Sequence, residues 1–199
     1  MIRWKTSYTT LTCLKRLLVD NMLENKHWTA FFSHTGTEIV NISNKLGRFP
    51  DVIVTNKEPG ADDIHEGIQE NIYVPKKPTV QDYRGILQPD TIVTLHGWMR
   101  IIPPEICDEY EIYNLHPGLV TKYPELKGAD PQKRVAESFN EERYKHIGCV
   151  IHEVTAGVDE GPVLAECSTH NVYSGVETIS CRLHEMATQL WIDFLKHNE

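Results

Sequence analysis

Asn114 and His116 stand two residues apart at the end of a short apolar run, and Asp159 follows much later within Val158-Asp159-Glu160-Gly161-Pro162. An amide donor, an imidazole and a carboxylate are the groups needed to move a small acyl unit onto an amine. Amine attack on a carbonyl carbon creates a tetrahedral intermediate with negative charge on its oxygen. Donors already in place at that oxygen lower the barrier, by about 3 kcal/mol each judged from oxyanion-hole deletions. At a strand end, residues i and i+2 point the same way, so Asn114 and His116 can meet at one atom while Leu115 packs inward. Asn114 donates without titrating, a protonated His116 donates as well, and a nearby Asp159 favours the protonated ring. The carboxylate also offers a place for the amine's excess proton, directly or through a water. Taken alone, each segment also reads as turn chemistry, with Pro117 fixing a bend.

These residues need a frame that brings distant segments together. Apolar or β-branched runs at 29–32, 51–55, 71–74, 91–95 and 112–115 alternate with helical stretches at 38–46, 79–87 and 131–138. That alternation predicts an α/β fold with a mainly parallel sheet covered by helices on both faces. Two later strands, near 144–152 and 162–171, flank the loop that carries Asp159 and are expected to form an antiparallel edge. Ser174-Gly175-Val176-Glu177 reads as a capping box for a C-terminal helix, and Ile179, Leu183, Met186, Leu190 and Phe194 recur as its core stripe. Leu11, Leu14, Leu17, Leu18 and Met22 trace one face of an extra N-terminal helix, with Lys15 and Arg16 on the other. The first nineteen residues lack acids, as a presequence would, but Asp20 and Glu24 interrupt that pattern, so a docked helix is expected. The division drawn is 1–27 as a helical extension and 28–199 as the catalytic domain.

A chain of 199 residues suits one well-buried domain, and 40% hydrophobic with 24% charged residues is the balance of a globular protein. The formal charge of -8 argues against nucleic acid as a partner, and no apolar run approaches a membrane span. Five cysteines, odd in number and without Cys-x-x-Cys spacing, read as reduced thiols of a cytoplasmic protein. Ten histidines include no His-Glu-x-x-His pairing, so no metal is expected. His152 is read as a satisfied core histidine rather than a ligand. His34 and His96 fall at strand ends, where an α/β sheet places its crevice, and either is a candidate to touch substrate.

The blocks Gly97-Trp98-Met99-Arg100-Ile101-Ile102, Tyr113-Asn114-Leu115-His116-Pro117-Gly118, Lys122-Tyr123-Pro124, Lys127-Gly128-Ala129 and 148–164 (GCVIHEVTAGVDEGPVL) resemble, in order, those of the folate-dependent formyltransferases. The resemblance is nearest to the branch whose acceptor is glycinamide ribonucleotide, and it implies a single Rossmann-like domain. It implies 10-formyltetrahydrofolate as co-substrate, and Asn114, His116 and Asp159 as the catalytic triad. It places the pterin against Met99, Arg100, Ile101 and Ile102 and the loop Val154, Thr155, Ala156, Gly157 and Val158, where apolar walls cover a flat ring while main-chain groups read its edge. The acceptor falls to Ser33, His34, Thr35, Gly36 and Thr37, with Pro117 and Gly118. A loop opening a helix offers N–H groups to a phosphate; Thr37 as a plain N-cap is the alternative there. Glu38 in that first turn and the Gly118-Leu119-Val120-Thr121 run depart from the family's usual loops, so the acceptor is the open question. An amino sugar nucleotide or another amine, and a folate-binding protein without turnover, stand beside the leading reading; monomer and homodimer are both compatible with the sequence.

Overall fold

The β-branched and aromatic runs do form strands, and they are continuous in apolar character because helices cover both faces. The computed structural model describes residues 22–138, 143–171 and 175–196. The expected N-terminal helix up to residue 21, Cys13 and the Ser174 cap lie outside the described residues. Parallel strands β1 (His27–Phe32), β2 (Val52–Thr55), β3 (Ile72–Tyr73), β4 (Thr91–His96) and β5 (Glu111–His116) are followed by antiparallel β6 (His146–Glu153) and β7 (Val163–His170). Among the described residues the sheet runs β3-β2-β1-β4-β5-β6-β7. The order turns outward in both directions from β1 and β4, so a crevice opens at their carboxyl ends.

Two packed layers hold this sheet. On one side Trp28, Ile92, Cys149 and Ile151 pack with Ile42 of α1 (Thr37–Leu46), Val135 of α4 (Pro131–Glu137) and Leu183, Leu190 and Trp191 of α5 (Val176–Lys196). On the other, Phe31, Val54, Val93 and Leu95 pack with Tyr83 of α2 (Val80–Arg84), Ile106 of α3 (Pro104–Glu109) and Trp98. The predicted α5 stripe holds at Ile179, Leu183 and Leu190, while Ala187, Trp191, Ile192 and Leu195 widen it and Met186 and Phe194 sit at its margin. Full burial of a side chain the size of Trp191 makes its truncation to alanine worth about 3–5 kcal/mol. The buried Trp28 Nε1 donates to Thr94 Oγ1 at 2.8 Å, so this indole leaves no polar atom unpaired in the core. Helix α3 and the 3-10 turn Pro124–Leu126 were not anticipated; at six and three residues both are too short to show a helical period.

The antiparallel junction is the part that matters for chemistry. β5 pairs with β6 so that Asn114 faces His152 and His116 faces Val150. After β6 the chain loops out and returns as β7, and this loop carries Asp159 back over the end of β5.

Candidate active site

Asn114 and His116 close the β5 strand, and Asp159 reaches them from the β6–β7 loop. His116 Nδ1 lies 3.2 Å from Asp159 Oδ2. Its Nε2 sits 2.8 Å from the Leu126 carbonyl, and because a carbonyl only accepts, that nitrogen carries a proton. Both ring nitrogens are thus engaged within the protein, and the ring is buried. Gly118, expected beside the acceptor, lies buried under this ring instead: a Cβ there would come within 2.8 Å of His116 Nε2. The imidazole is therefore presented as a fixed partner of Asp159 rather than as a free donor.

His152, read as a satisfied core histidine, has a part in the site that sequence reasoning did not see. It is buried, as a core histidine would be, yet its Nε2 lies 3.2 Å from Asn114 Nδ2 and 3.4 Å from Asp159 Oδ1. Its Nδ1 donates to the Glu153 carbonyl at 2.9 Å, so Nε2 accepts from the Asn114 amide when it carries no proton and donates to Asp159 Oδ1 when it does. The signal that could have found it is the antiparallel register: a strand folding back on β5 brings a residue face to face with Asn114. A continuous polar chain results, Asn114 to His152 to Asp159 to His116.

Asp159 is the hub of this chain. Burial alone would raise its pKa, but hydrogen bonds from His116 and His152, the charge of His116 and the Gly128 N–H hold it far below the ordinary carboxylate range. The Gly128 N–H donates to Oδ2 at 2.9 Å, so Oδ2 carries two partners and Oδ1 only the longer contact to His152. Its backbone is left-handed, with φ at 51°, a conformation that costs an L-residue about 1 kcal/mol and that Asp and Asn tolerate best. Strain of this kind persists where the surroundings hold it in place.

The residues assigned to the pterin divide into two groups. Met99, Ile101 and Val158 are large apolar side chains left exposed, at 58%, 75% and 58%, and they offer the apolar wall a flat heterocycle needs. Ile102 is instead core, packed with Phe31 and Trp98, and the Val154 N–H is spent on the Ile112 carbonyl at 2.8 Å. Thr155, Ala156 and Gly157 continue the loop between them. Arg100 turns away from this wall. In the orientation its neighbours dictate, the buried Asn56 amide oxygen accepts from Arg100 Nη2 and Nε at 3.0 and 2.8 Å, and its nitrogen donates to Ser33 Oγ at 3.1 Å. Ser33 Oγ in turn accepts from the Met99 N–H at 3.0 Å, so Ser33 ties the two loops together.

Arg100 borders a cavity of about 420 Å³ with Ser33, His34, Asn56, Lys57 and Lys76, beside the ends of β1 and β2. The Asn114–Asp159 cluster lines no part of it; the two regions lie on either side of the crevice. At the first turn of α1, Gly36 with φ at 74° is the N-cap and no side chain caps the helix, so the alternative of Thr37 as N-cap is corrected. Thr35 and Thr37 share a hydroxyl hydrogen bond of 2.7 Å. Glu38 bends inward to His96 Nδ1 at 2.9 Å, and His96 Nε2 contacts Thr94 Oγ1 at 2.9 Å. His96 is thus buried behind the crevice and does not face it. Among the described residues no group of three or more His, Cys, Asp or Glu side chains is placed to hold a metal, and no helix is long and apolar enough to cross a membrane.

Comparison with known proteins places this geometry. A phosphoribosylglycinamide formyltransferase of Dictyostelium discoideum is 38% identical over 92 residues, which cover 43% of this chain and 41% of that protein. In this and the next two curated relatives the matched region spans 41–53% of their length. The glycinamide ribonucleotide transformylase 1 of Geobacillus kaustophilus superposes with a TM-score of 0.66 at 26% identity, over 86% of this chain and 97% of that one. The corresponding enzyme of Symbiobacterium toebii gives 0.69 at 19% identity, over 92% and 90%, a likeness of fold. The formyl transferase domain profile matches residues 32–195, from the end of β1 to the last turn of α5, and the chain belongs to the formyl transferase family.

Proposed function

We propose that this chain transfers the formyl group of 10-formyltetrahydrofolate to the amine of glycinamide ribonucleotide, with residues 28–199 as the catalytic unit. The observation that carries the reading is the Asn114–His152–Asp159–His116 chain at the mouth of the sheet. The acceptor nitrogen attacks the formyl carbon, and the carbonyl π pair moves onto oxygen. One N–H of Asn114 is directed to His152, and the other is available to that oxyanion. The attacking nitrogen gains positive charge, which the ionised Asp159 stabilises through the less encumbered Oδ1. Its proton passes to His152 Nε2, directly or by way of Asp159, because that nitrogen holds the lone pair of the cluster. Collapse of the intermediate breaks the bond from carbon to the folate nitrogen, which takes up the proton that His152 accepted, leaving a formamide, tetrahydrofolate and His152 as it began. His116, with Nδ1 3.2 Å from Asp159 Oδ2, holds the carboxylate in place.

The exposed Met99, Ile101 and Val158 support a pterin wall on one side of this centre. Beyond Met99, which borders the same cavity, the uncapped first turn of α1 and the Arg100 guanidinium support an anionic acceptor, and the Glu38 carboxylate is turned inward onto His96. A second reading, transfer to the amine of an amino sugar nucleotide, is favoured by the altered loops Ser33 to Glu38 and Gly118 to Thr121. The test is the absorbance change on mixing protein, 10-formyltetrahydrofolate and each amine. Turnover with glycinamide ribonucleotide is expected; turnover only with the sugar nucleotide transfers the assignment, and folate binding without turnover on either amine ends both.

A further inference from the structure

Arg134, on the first turns of α4, is encircled by main-chain oxygens of a single loop. Its Nη1 donates to the Glu125 carbonyl, and its Nη2 lies 3.0 Å from Leu126 O, 2.9 Å from Lys127 O, 3.5 Å from Gly128 O and 2.9 Å from Ala129 O. Carbonyls of successive residues do not converge on one point unless the chain is curled, and here Gly128 (φ 81°) and Asp130 (φ 51°) are both left-handed. Beyond the 3-10 turn at its start the loop has no repeating hydrogen-bond ladder, and the guanidinium at its centre holds the curl. The Nε of Arg134 is buried without a partner, so the carbonyls, not the rest of the side chain's surroundings, determine where the guanidinium sits.

This loop supplies two contacts to the reaction centre. Leu126 O accepts from His116 Nε2 and also from Arg134, and Gly128 N–H donates to Asp159 Oδ2. We propose that Arg134 is a positioning residue of the transfer reaction: by gathering the carbonyls of residues 125–129 it sets the Leu126 oxygen and the Gly128 N–H where they orient His116 and Asp159. Arg134 touches neither substrate and acts through these two groups. A planar guanidinium can serve several acceptors at fixed angles, whereas a lysine ammonium on a flexible stem cannot reproduce the fork. The inference rests on the formyl transfer reading for its kinetic part and is independent of which amine is formylated.

The test compares the full chain with Arg134→Lys and Arg134→Met. At temperatures well below unfolding, kcat is expected to fall on the order of ten- to hundredfold in both, because displacement of a reacting group by about 1 Å has effects of that size. The KM values for formyl folate and amine are expected to stay within about twofold, since no substrate contact is lost. In ¹⁵N-histidine NMR spectra of the protein without substrates, the His116 ring signals are expected to shift in both variants while those of His96, bound to Glu38 and Thr94 elsewhere in the fold, stay in place. Should Arg134→Met fail to fold, Arg134→Lys, which keeps charge and bulk, carries the test. A loss of thermal stability with kcat unchanged and His116 signals unmoved would show a purely structural staple and overturn the proposal; a rise in KM at constant kcat would overturn it as well. The NMR arm needs no turnover, so a wild-type protein inactive on every amine would sink the proposed function while leaving this inference to be judged by His116 alone.

Discussion

The β5–β6 seam and the β1–α1 end of the crevice lie in one sheet but are built on opposite plans. At the seam every reactive polar group has its partner inside the protein, down to the Gly128 N–H on Asp159 and the Leu126 oxygen on His116. At the other end a cavity of about 420 Å³ is lined by Lys57, Lys76 and Glu58, beside a helix without a side-chain cap and an arginine held by Asn56 and the Met99 carbonyl. Bond rearrangement needs groups preset to within fractions of an ångström, so the seam has little freedom to vary. Recognition of the far end of an acceptor needs only charge and room. The departure at Glu38 falls at the β1–α1 end, whereas Gly118 falls at the seam, against the His116 ring.

The contrast is broken most directly at Asp159. Asp159→Asn keeps a residue that tolerates the left-handed backbone, so the fold should survive while kcat falls on the order of a hundredfold or more; steady-state rates that match wild type would remove the seam from the chemistry. His152→Phe fills the same volume without a nitrogen, and a drop in kcat on the order of tens with near-constant KM is expected. A variant as active as wild type would return His152 to the core role that its burial first suggested. Gly118→Ala pushes a methyl group into the His116 ring, and kcat should fall roughly tenfold with a stability loss of about 1–3 kcal/mol, read by rates and by urea unfolding.

On the acceptor side the split should invert. Asn56→Ala frees Arg100 and should raise KM several-fold at nearly unchanged kcat, the mark of lost uniform binding; a change confined to kcat would join the two regions into one. The smallest effect concerns acid stability. The folded Asp159 has a lowered pKa, so its contribution is complete above the ordinary aspartate value of about 3.9 and is lost as pH falls below it toward the folded value. The urea midpoints of wild type and Asp159→Asn should therefore differ most near neutrality and draw together as pH approaches 2. A gap that widens on acidification would contradict the pairing with His116 and His152.

Much of this was readable before any coordinates. Strand alternation, the antiparallel edge and the α5 stripe follow from periodicity, while the convergence of His116 with Asp159 was an expectation carried by the resemblance to the formyltransferases. What was not readable has a common physical cause, since it depends on which residues face each other across space. His152 belongs to the site only because β6 runs antiparallel to β5 in one register, and a shift of one residue would turn it to the other face. Arg100 reads as a pterin contact until Asn56, 44 positions earlier, is seen to hold it. Gly118 reads as a contact for substrate until the buried ring of His116 is placed on it. Helix α3 escaped notice because a single turn and a half shows no amphipathic period.

The ring of Trp191 lies 5.0 Å from that of His96, whose other partner, Glu38, opens α1 beside the acceptor loop. An indole excited state is quenched by a neighbouring imidazolium more than by a neutral imidazole. Any ligand that draws on the Glu38 carboxylate moves the His96 ring bound to it and so changes the brightness of a tryptophan it never meets. Emission intensity in a background with Trp4, Trp28 and Trp98 replaced by phenylalanine thus makes the fold its own optical gauge of occupancy at that turn, without a label and without turnover.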